Sequence, residues 1–323
     1  MSWLVTGGAG YIGAHVVRVM AEGGEDVVVF DDLSTGSADR VPSGVPLVVG
    51  SVLDGPLLER TMREHGVTGV VHIAAKKQVG ESVERPLHYY RENVTGLQTL
   101  LEAMTATGAG ALVFSSSAAV YGMPDVDLVT EDTPCAPINP YGETKLAGEW
   151  LIGAASRAHG IRSACLRYFN VAGAAGPELA DAGATNLVPM VFERLDAGRA
   201  PLVFGDDYPT PDGTCVRDFI HVEDIASAHL AAARRLAEAE DGTALVLNIG
   251  RGEGSSVREV VDRILKVTGN GHLTPEVAPR RPGDPARVVA SAGRIGTELG
   301  WSARHDLDDM IRSAWEGWRH HRS

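Results

Sequence analysis

One stretch near the amino terminus, WLVTGGAGYIGAHVVRVMAEGGEDVVVFDD, limits the chain to a narrow set of architectures. Its apolar residues change period along the way. A short run from Trp3 to Val5 is followed by Ile12, Val16, Val19 and Met20 at three- and four-residue steps, and then by the β-branched run Val27 to Val29. Strand, helix and strand in so short a segment predict a βαβ unit with parallel strands. Gly7, Gly10 and Gly13 lie around the turn between the first strand and the helix. Glycine at these points suits a tight turn, a close approach of backbone to a pyrophosphate, and close packing of helix on strand, with the helix amino terminus facing the negative charge. Glycines three apart also punctuate ordinary turns, but the flanking strand and helix and the acidic end at Asp31 lift the pattern above that. A carboxylate at Asp31 accepts hydrogen bonds from an adenosine ribose and disfavours a 2′-phosphate, which points to NAD over NADP. The plainer reading of Asp31 and Asp32 is a solvated strand end.

Further strands are predicted at VPLVVG (45–50), GVVHIAA (69–75), ALVFSSS (111–117) and RSACLRYFN (162–170), separated by helical patterns near 56–65, 86–107 and 141–159. Such alternation predicts an α/β fold, a doubly wound parallel sheet of Rossmann type with ligands at the carboxyl ends of its strands. Lys77, Asn93, Ser115 to Ser117 and Asn170 fall at those ends. Three serines closing an apolar strand can be a polar turn, or can hydrogen-bond a ligand. From about residue 171, TNLVPMVFERLDAG and SSVREVVDRILKVTG read as amphipathic helices and APLVFGDDYPTPDGT as strand and turn, a second, smaller α/β lobe. The expected division is a nucleotide-binding domain over 1–170 with a return segment over about 217–250, and a substrate lobe over most of 171–323. Ligand is expected between the lobes.

A length of 323 residues with 44% hydrophobic content can fill a sizeable core. The net charge of −13 argues against nucleic acid or an anionic membrane as a general partner, since both demand a basic surface. No window approaches a membrane span, and no signal peptide is evident ahead of MSWLVTGGAG. The three cysteines have no CxxC spacing and suit a reducing compartment, so a cytoplasmic location is expected. His320 and His321 lie in a basic tail with no further ligand spacing, and no metal site is expected.

The segment NPYGETKLAGEW places Tyr141 and Lys145 four positions apart at the start of a helix, on one face. They can be a surface pair, with the ring packed on the lysine stem. Alternatively, the ammonium of Lys145 lowers the Tyr141 pKa from about 10 toward working pH and makes the phenol a proton acceptor. Spacing leaves both readings open.

Together TGGAGYIG, VGESVERPLHYYRENVTG, FSSSAAVYG, NPYGETKLAGE, LRYFNVAGA, DDYPTPDGTCVRDFIHVEDIA and RRPGD resemble the UDP-galactose 4-epimerase family of extended short-chain dehydrogenase/reductases, from near residue 2 to about 318. The resemblance implies that Ser117, Tyr141 and Lys145 are the catalytic set. It implies that NAD is held by Gly7, Gly10, Tyr11, Ile12 and Asp31, with Ala74, Ala75, Lys77, Asn93, Ser115, Tyr168 and Phe169. It further implies that Asn170, Asn186, Leu187, Phe204, Arg217, Arg281 and Asp284 surround a UDP-hexose, and that the chain forms a homodimer through the helical patterns near 86–107 and 141–159. Two arginines suit a diphosphate and Asp284 suits ribose hydroxyls; taken singly, each arginine reads as a surface ion pair. The family's chemistry would have Tyr141 take the O4 proton, Ser117 hydrogen-bond O4, and the sugar pass through a transient 4-keto form that turns over and is reduced on its other face. Val288, four after Asp284, stands where a bulky tyrosine excludes N-acetyl sugars in some members, so UDP-N-acetylglucosamine is an expected second substrate.

Ser51 replaces a usual aspartate that contacts adenine, Asp32 replaces an asparagine, and Phe219 replaces a tyrosine. None touches the Ser117, Tyr141 and Lys145 set. Rival readings are another nucleotide-sugar enzyme on the same scaffold, such as a dehydratase, a decarboxylase or a uronate epimerase, and a non-catalytic NAD sensor. SSSAAVYG offers no acidic pair for dehydration, and a sensor need not keep both Tyr141 and Lys145.

Overall fold

The β-branched runs pair into one seven-stranded parallel sheet, in the order Ala244–Ile249, Arg162–Tyr168, Ala111–Ser117, Gly69–His72, Ser2–Thr6, Asp26–Asp31, Leu47–Val49. This computed structural model describes residues 1–181, 183, 186–281 and 283–322. The chain winds outward from Ser2–Thr6 to Leu47–Val49, then returns to the opposite side of its first strand at Gly69–His72. The order therefore reverses between these two strands, in register Thr6 to His72, and the crevice beyond their carboxyl ends is where such sheets take ligands.

Alternation along the strands feeds both faces. Val5, Val29, Val71, Val113 and Leu166 pack against helices Tyr11–Glu22 and Val222–Ala237 through Val16, Met20, Ile225 and Ala232. Their neighbours Leu4, Val28, Val70 and Leu112 pack against Gly55–Glu64, Gly96–Thr107 and Pro140–His159 through Leu58, Met62, Leu100 and Ile152. The last helix starts on Asn139, whose side chain accepts the Gly142 N–H at 2.9 Å ahead of Pro140, and stops at Gly160, which adopts φ +71°.

Three segments differ from expectation. The pattern near 86–107 is not one helix: Pro86–Tyr89 runs into a widened turn over Tyr90–Thr95 with i to i+5 bonding before Gly96–Thr107 begins. Single π turns of this kind favour functional sites, and this one carries Asn93. The run expected as one strand over 162–170 is two, because the chain leaves the large sheet at Tyr168 and enters a smaller one at Asn170–Ala172. Strand Val216–His221 lies in that smaller sheet, and the return to the large one comes with helix Val222–Ala237 and strand Ala244–Ile249.

The smaller sheet centres on Val216–His221, paired with Asn170–Ala172 and Arg287–Val288 in parallel and with Gly254–Ser256 antiparallel. Leu202–Phe204 pairs separately with Glu276–Ala278. Its core of Ala172, Val188, Phe192, Phe219, Ile264 and Met310 is closed by helices Leu187–Asp196, Val257–Val267 and Leu307–His320. Phe219 is thus a core residue.

Candidate active site

The glycine turn sits at the switch point of the large sheet. Gly7 adopts φ +72°, and a Cβ there would lie 2.6 Å from the Ala74 nitrogen; at Gly13 it would lie 1.9 Å from the Gly7 oxygen. Only glycine allows the turn, the helix and the end of Gly69–His72 to approach so closely. Gly10 caps helix Tyr11–Glu22 without a side-chain hydrogen bond, so the helix presents bare amides toward the crevice. Asp31, 7% exposed, accepts Ala9 N–H at 2.9 Å on one oxygen and Leu33 N–H at 2.8 Å on the other. Each oxygen keeps a lone pair for a ribose hydroxyl. This donor and acceptor set fits a dinucleotide, with Ile12 at the helix start and Ala74 and Ala75 across the turn.

The side chain of Tyr11 points elsewhere, its hydroxyl donating to the Gly173 carbonyl at 2.6 Å, so toward a cofactor it can offer only backbone. Ser51, in place of an aspartate, accepts the Leu53 N–H at 3.2 Å and closes its own turn. Lys77 is exposed. Asn93 is spent on protein: it accepts the Lys76 N–H at 2.8 Å and donates to the Lys76 carbonyl and to Thr144 Oγ1, both at 3.0 Å. It ties the end of strand Gly69–His72 to helix Pro140–His159.

The three serines divide. Ser116 points away from the crevice and donates to Glu149 at 2.5 Å. Ser115, fully buried, pairs with His229 Nε2 at 2.7 Å; His229 Nδ1 lies 2.8 Å from the Ile225 carbonyl, so the Ser115 hydroxyl is the donor in that pair. Its hydroxyl also reaches Tyr168. The expected cofactor contact from the Ser115 side chain therefore gives way to an internal one. Ser117 caps the following turn, accepting Ala119 N–H at 3.2 Å, and its hydroxyl lies close enough to the Tyr141 phenol to lower that group's pKa.

Tyr141 and Lys145 are 8% and 3% exposed, which removes the surface-pair reading. Lys145 Nζ donates to the Ser115 carbonyl at 2.7 Å and stands 5.0 Å from the Phe114 ring centroid and 6.0 Å from that of Tyr141. Burial raises the Tyr141 pKa, and the Ser117 hydrogen bond pulls it back. The lowering by Lys145 that the spacing allows is not found, because the ammonium is aimed at a strand carbonyl. Burial in turn lowers Lys145 to about 8, opposed by Glu149. His72, stacked on Phe114 and joined to Thr6 Oγ1 at 2.7 Å, is held neutral, its pKa lowered to about 3 by burial and by Lys145.

On the smaller lobe, Arg281 lies over Phe204 with its guanidinium carbon 3.9 Å from the ring centroid. Arg217 pairs with Asp284, and Val288 is the register partner of Arg217 on the adjoining strand. Asn170 and Asn186 are exposed, Asn186 donating to Asp181 at 3.3 Å, and Leu187 opens its helix. Phe169 is buried beside Val120, Tyr121 and Leu146, with Val288 at the edge of that cluster.

Two features escaped sequence reasoning. Glu149 continues the Tyr141 and Lys145 stripe by one turn and pairs with Arg167, a cation inside an apolar strand; helical spacing and that odd cation were the signals. His221, Glu223 and His305 bring donor atoms within 4.8 Å of one another. The two imidazoles, however, stack at 4.3 Å with 29° between planes, so their in-plane lone pairs do not converge on one ion, and His221 Nδ1 already accepts Glu223 N–H at 3.1 Å.

Residues 3–250 match the NAD dependent epimerase/dehydratase family. A UDP-glucose 4-epimerase of Azospirillum brasilense is 49% identical over 97% of this chain and 91% of its own. A UDP-glucose-4-epimerase from Stenotrophomonas maltophila, solved with bound NAD and formylated UDP-arabinopyranose, superimposes with a TM-score of 0.94 at 39% identity, covering 100% of this chain and 99% of the other. The UDP-Glc/GlcNAc 4-epimerase of Campylobacter jejuni gives 0.87 at 38% identity, over 99% of both chains.

Proposed function

The chain belongs to the NAD dependent epimerase/dehydratase family, and from that membership and the geometry around Tyr141 we propose that it is the 4-epimerase that interconverts UDP-glucose and UDP-galactose. The observation that carries the reading is a buried phenol beside Ser117 and one helical turn from a buried ammonium, at the mouth of the nucleotide crevice.

The glycine turn at Gly7 to Gly13 and Asp31 would hold NAD, whose nicotinamide would supply a reversible hydride acceptor for C4. The residues do the rest. Tyr141 removes the O4 proton and later gives it back, and Ser117 hydrogen-bonds O4 as its bond order changes. The donors that stabilise the alkoxide also stabilise the carbonyl, so one site serves both directions. Lys145 supplies a fixed positive charge that favours the phenolate. Phe204, Arg281, Arg217 and Asp284 hold the UDP moiety while the 4-keto sugar turns over, which inverts C4 with no net oxidation.

Dehydration needs a free acid near the serine strand. The buried carboxylate in that region, Glu149, is taken up by Arg167 and Ser116, which favours epimerisation. The small Val288 beside Arg217 supports acceptance of N-acetylated hexoses. Assembly as a homodimer is supported by apolar side chains left outward on adjacent helices, with Leu87 85%, Trp150 68% and Val83 63% exposed. A cytoplasmic location is supported by three free cysteines. The division into a nucleotide-binding domain (1–170 with 217–250) and a nucleotide-sugar lobe over the rest is part of the same reading.

The test is proton NMR of the purified protein, without added NAD, mixed separately with UDP-galactose, UDP-N-acetylgalactosamine and UDP-glucuronate. Conversion of the first to its C4 epimer is expected. No conversion of any, even with NAD supplied, overturns the reading.

A further inference from the structure

Glu149 has no part in the mechanism above, yet it is a carboxylate only 8% exposed in the middle of the larger lobe. Its bonds fix it in place. Arg167 Nε donates to one oxygen at 2.9 Å and Nη2 to the other at 2.5 Å, a two-pronged grip, and Ser116 donates to the first oxygen. Arg167 is itself anchored, Nη1 donating to Tyr121 Oη at 2.9 Å while Tyr121 donates to Asn248 at 2.7 Å. Such a buried pair adds little net stability over apolar packing of the same volume, so stability alone is a weak reason for it.

Position supplies a better one. Tyr141, Lys145 and Glu149 are successive members of one buried helical stripe, so the carboxylate lies one turn below the ammonium. The other titratable groups beside Lys145 are His72 from the sheet and Tyr141 from its own helix, and burial keeps both of them neutral. A buried ammonium with neutral neighbours gives up its proton readily. Glu149 is the group that opposes this, four positions on along the same buried face of the helix.

We propose that Glu149 is a positioning residue for the epimerisation: clamped by Arg167 and Ser116, it fixes a negative charge one helical turn from Lys145 and so holds the ammonium in its charged form. The inference rests on the assignment of Lys145 as the charge that favours the Tyr141 phenolate. The epimerase needs that charge in both directions of the reaction, and the third turn of the Tyr141 helix supplies what maintains it.

The test compares the parent holoenzyme with Glu149→Gln and Glu149→Asp in the pH profile of kcat/KM and in the titration of Lys145 Cε by carbon-13 NMR. With four lysines in the chain, the signals are few enough to assign. For Glu149→Gln, the alkaline limb and the Lys145 titration should both move down by on the order of one pH unit, about a fivefold loss of kcat/KM at pH 8. Glu149→Asp, which keeps a carboxylate, should recover most of the displacement. Should Glu149→Gln fail to fold because Arg167 is left unpaired, Glu149→Gln with Arg167→Gln removes both charges and should show the same shift. Lower kcat with an unmoved limb and an unmoved titration would mean that Glu149 is merely structural. A Lys145 shift in a parent protein that converts no UDP-hexose would keep the electrostatic proposal and discard the epimerase reading, so the two can fail separately.

Discussion

The Tyr11 hydroxyl donates a 2.6 Å hydrogen bond to the carbonyl of Gly173, joining the first residue of the glycine-turn helix to the segment that leads into the smaller lobe. One turn on, His15 repeats the link by accepting Ala175 N–H at 3.0 Å. Tyr11→Phe should therefore cost about 1 to 3 kcal/mol, since a buried carbonyl loses its donor. The backbone at position 11 is unchanged, so NAD affinity should stay within about twofold, or about 0.4 kcal/mol. Urea unfolding and cofactor titration on the same sample check the pair of outcomes; a large loss of NAD with unchanged stability would contradict this geometry.

Tyr141→Phe removes the proton acceptor and leaves the ring that packs on Lys145. Turnover should fall by roughly 10² to 10⁴. The residues proposed to hold UDP lie on the other lobe, so UDP binding by calorimetry should match the parent. Unchanged turnover would transfer the proton to another group.

Val288→Tyr fills the space beside Arg217 on the adjoining strand. Activity on UDP-N-acetylglucosamine should disappear while activity on UDP-glucose stays within a few fold, because overpacking acts on the bulkier substituent. Equal loss of both activities in a competition assay would place the sugar elsewhere.

Four buried histidines make stability depend on pH. Burial lowers the pKa values of His15 and His229 to about 4 and those of His72 and His221 to about 3. An unfolded imidazole titrates near 6.5. Between these values the unfolded chain binds more protons, so stability is fully present above about pH 6.5 and drains away as the pH falls toward the folded values. His15 alone accounts for roughly 3 kcal/mol across that window. Chemical unfolding at pH 7.5, 6 and 5 should show the decline, and His15→Gln should lessen its slope by roughly 1 kcal/mol per pH unit near pH 5. A parent protein equally stable at all three pH values would contradict the neutral assignments.

Local signals were legible in the sequence and long-range ones were not. The glycine turn, Asp31 and the Tyr141 helix are each defined within a dozen residues, by period, cap and turn chemistry, and the structure has them where the pattern puts them. Ser115 and Ser117 look equivalent in sequence, two apart on one face of a strand. What separates them is His229, which comes 114 residues after Ser115 on a helix packed against the sheet. The Tyr141 pKa was open in the sequence for a related reason: spacing puts Lys145 on the correct face but says nothing of the Ser115 carbonyl that claims its ammonium. Asn93 looked like a ligand because polar residues at strand ends commonly are; its partners at Lys76 and Thr144 exist only once the π turn and the helix are packed together.

Strand Ala244–Ile249, at one edge of the large sheet, is paired to Arg162–Tyr168, and helix Val222–Ala237 packs beside Tyr11–Glu22 on the same face of the sheet. During synthesis the first helix and strands thus leave the ribosome some two hundred residues ahead of the segments that shield them. Val16, Val17 and Met20 lack part of their cover for that interval, and the edge of Arg162–Tyr168 stays open to pairing with another chain. A nascent chain released at residue 215 would carry every glycine of the nucleotide turn and still lack the cover that makes it a folded domain. The vulnerable period in the life of this protein is its manufacture, and chaperone demand should peak there.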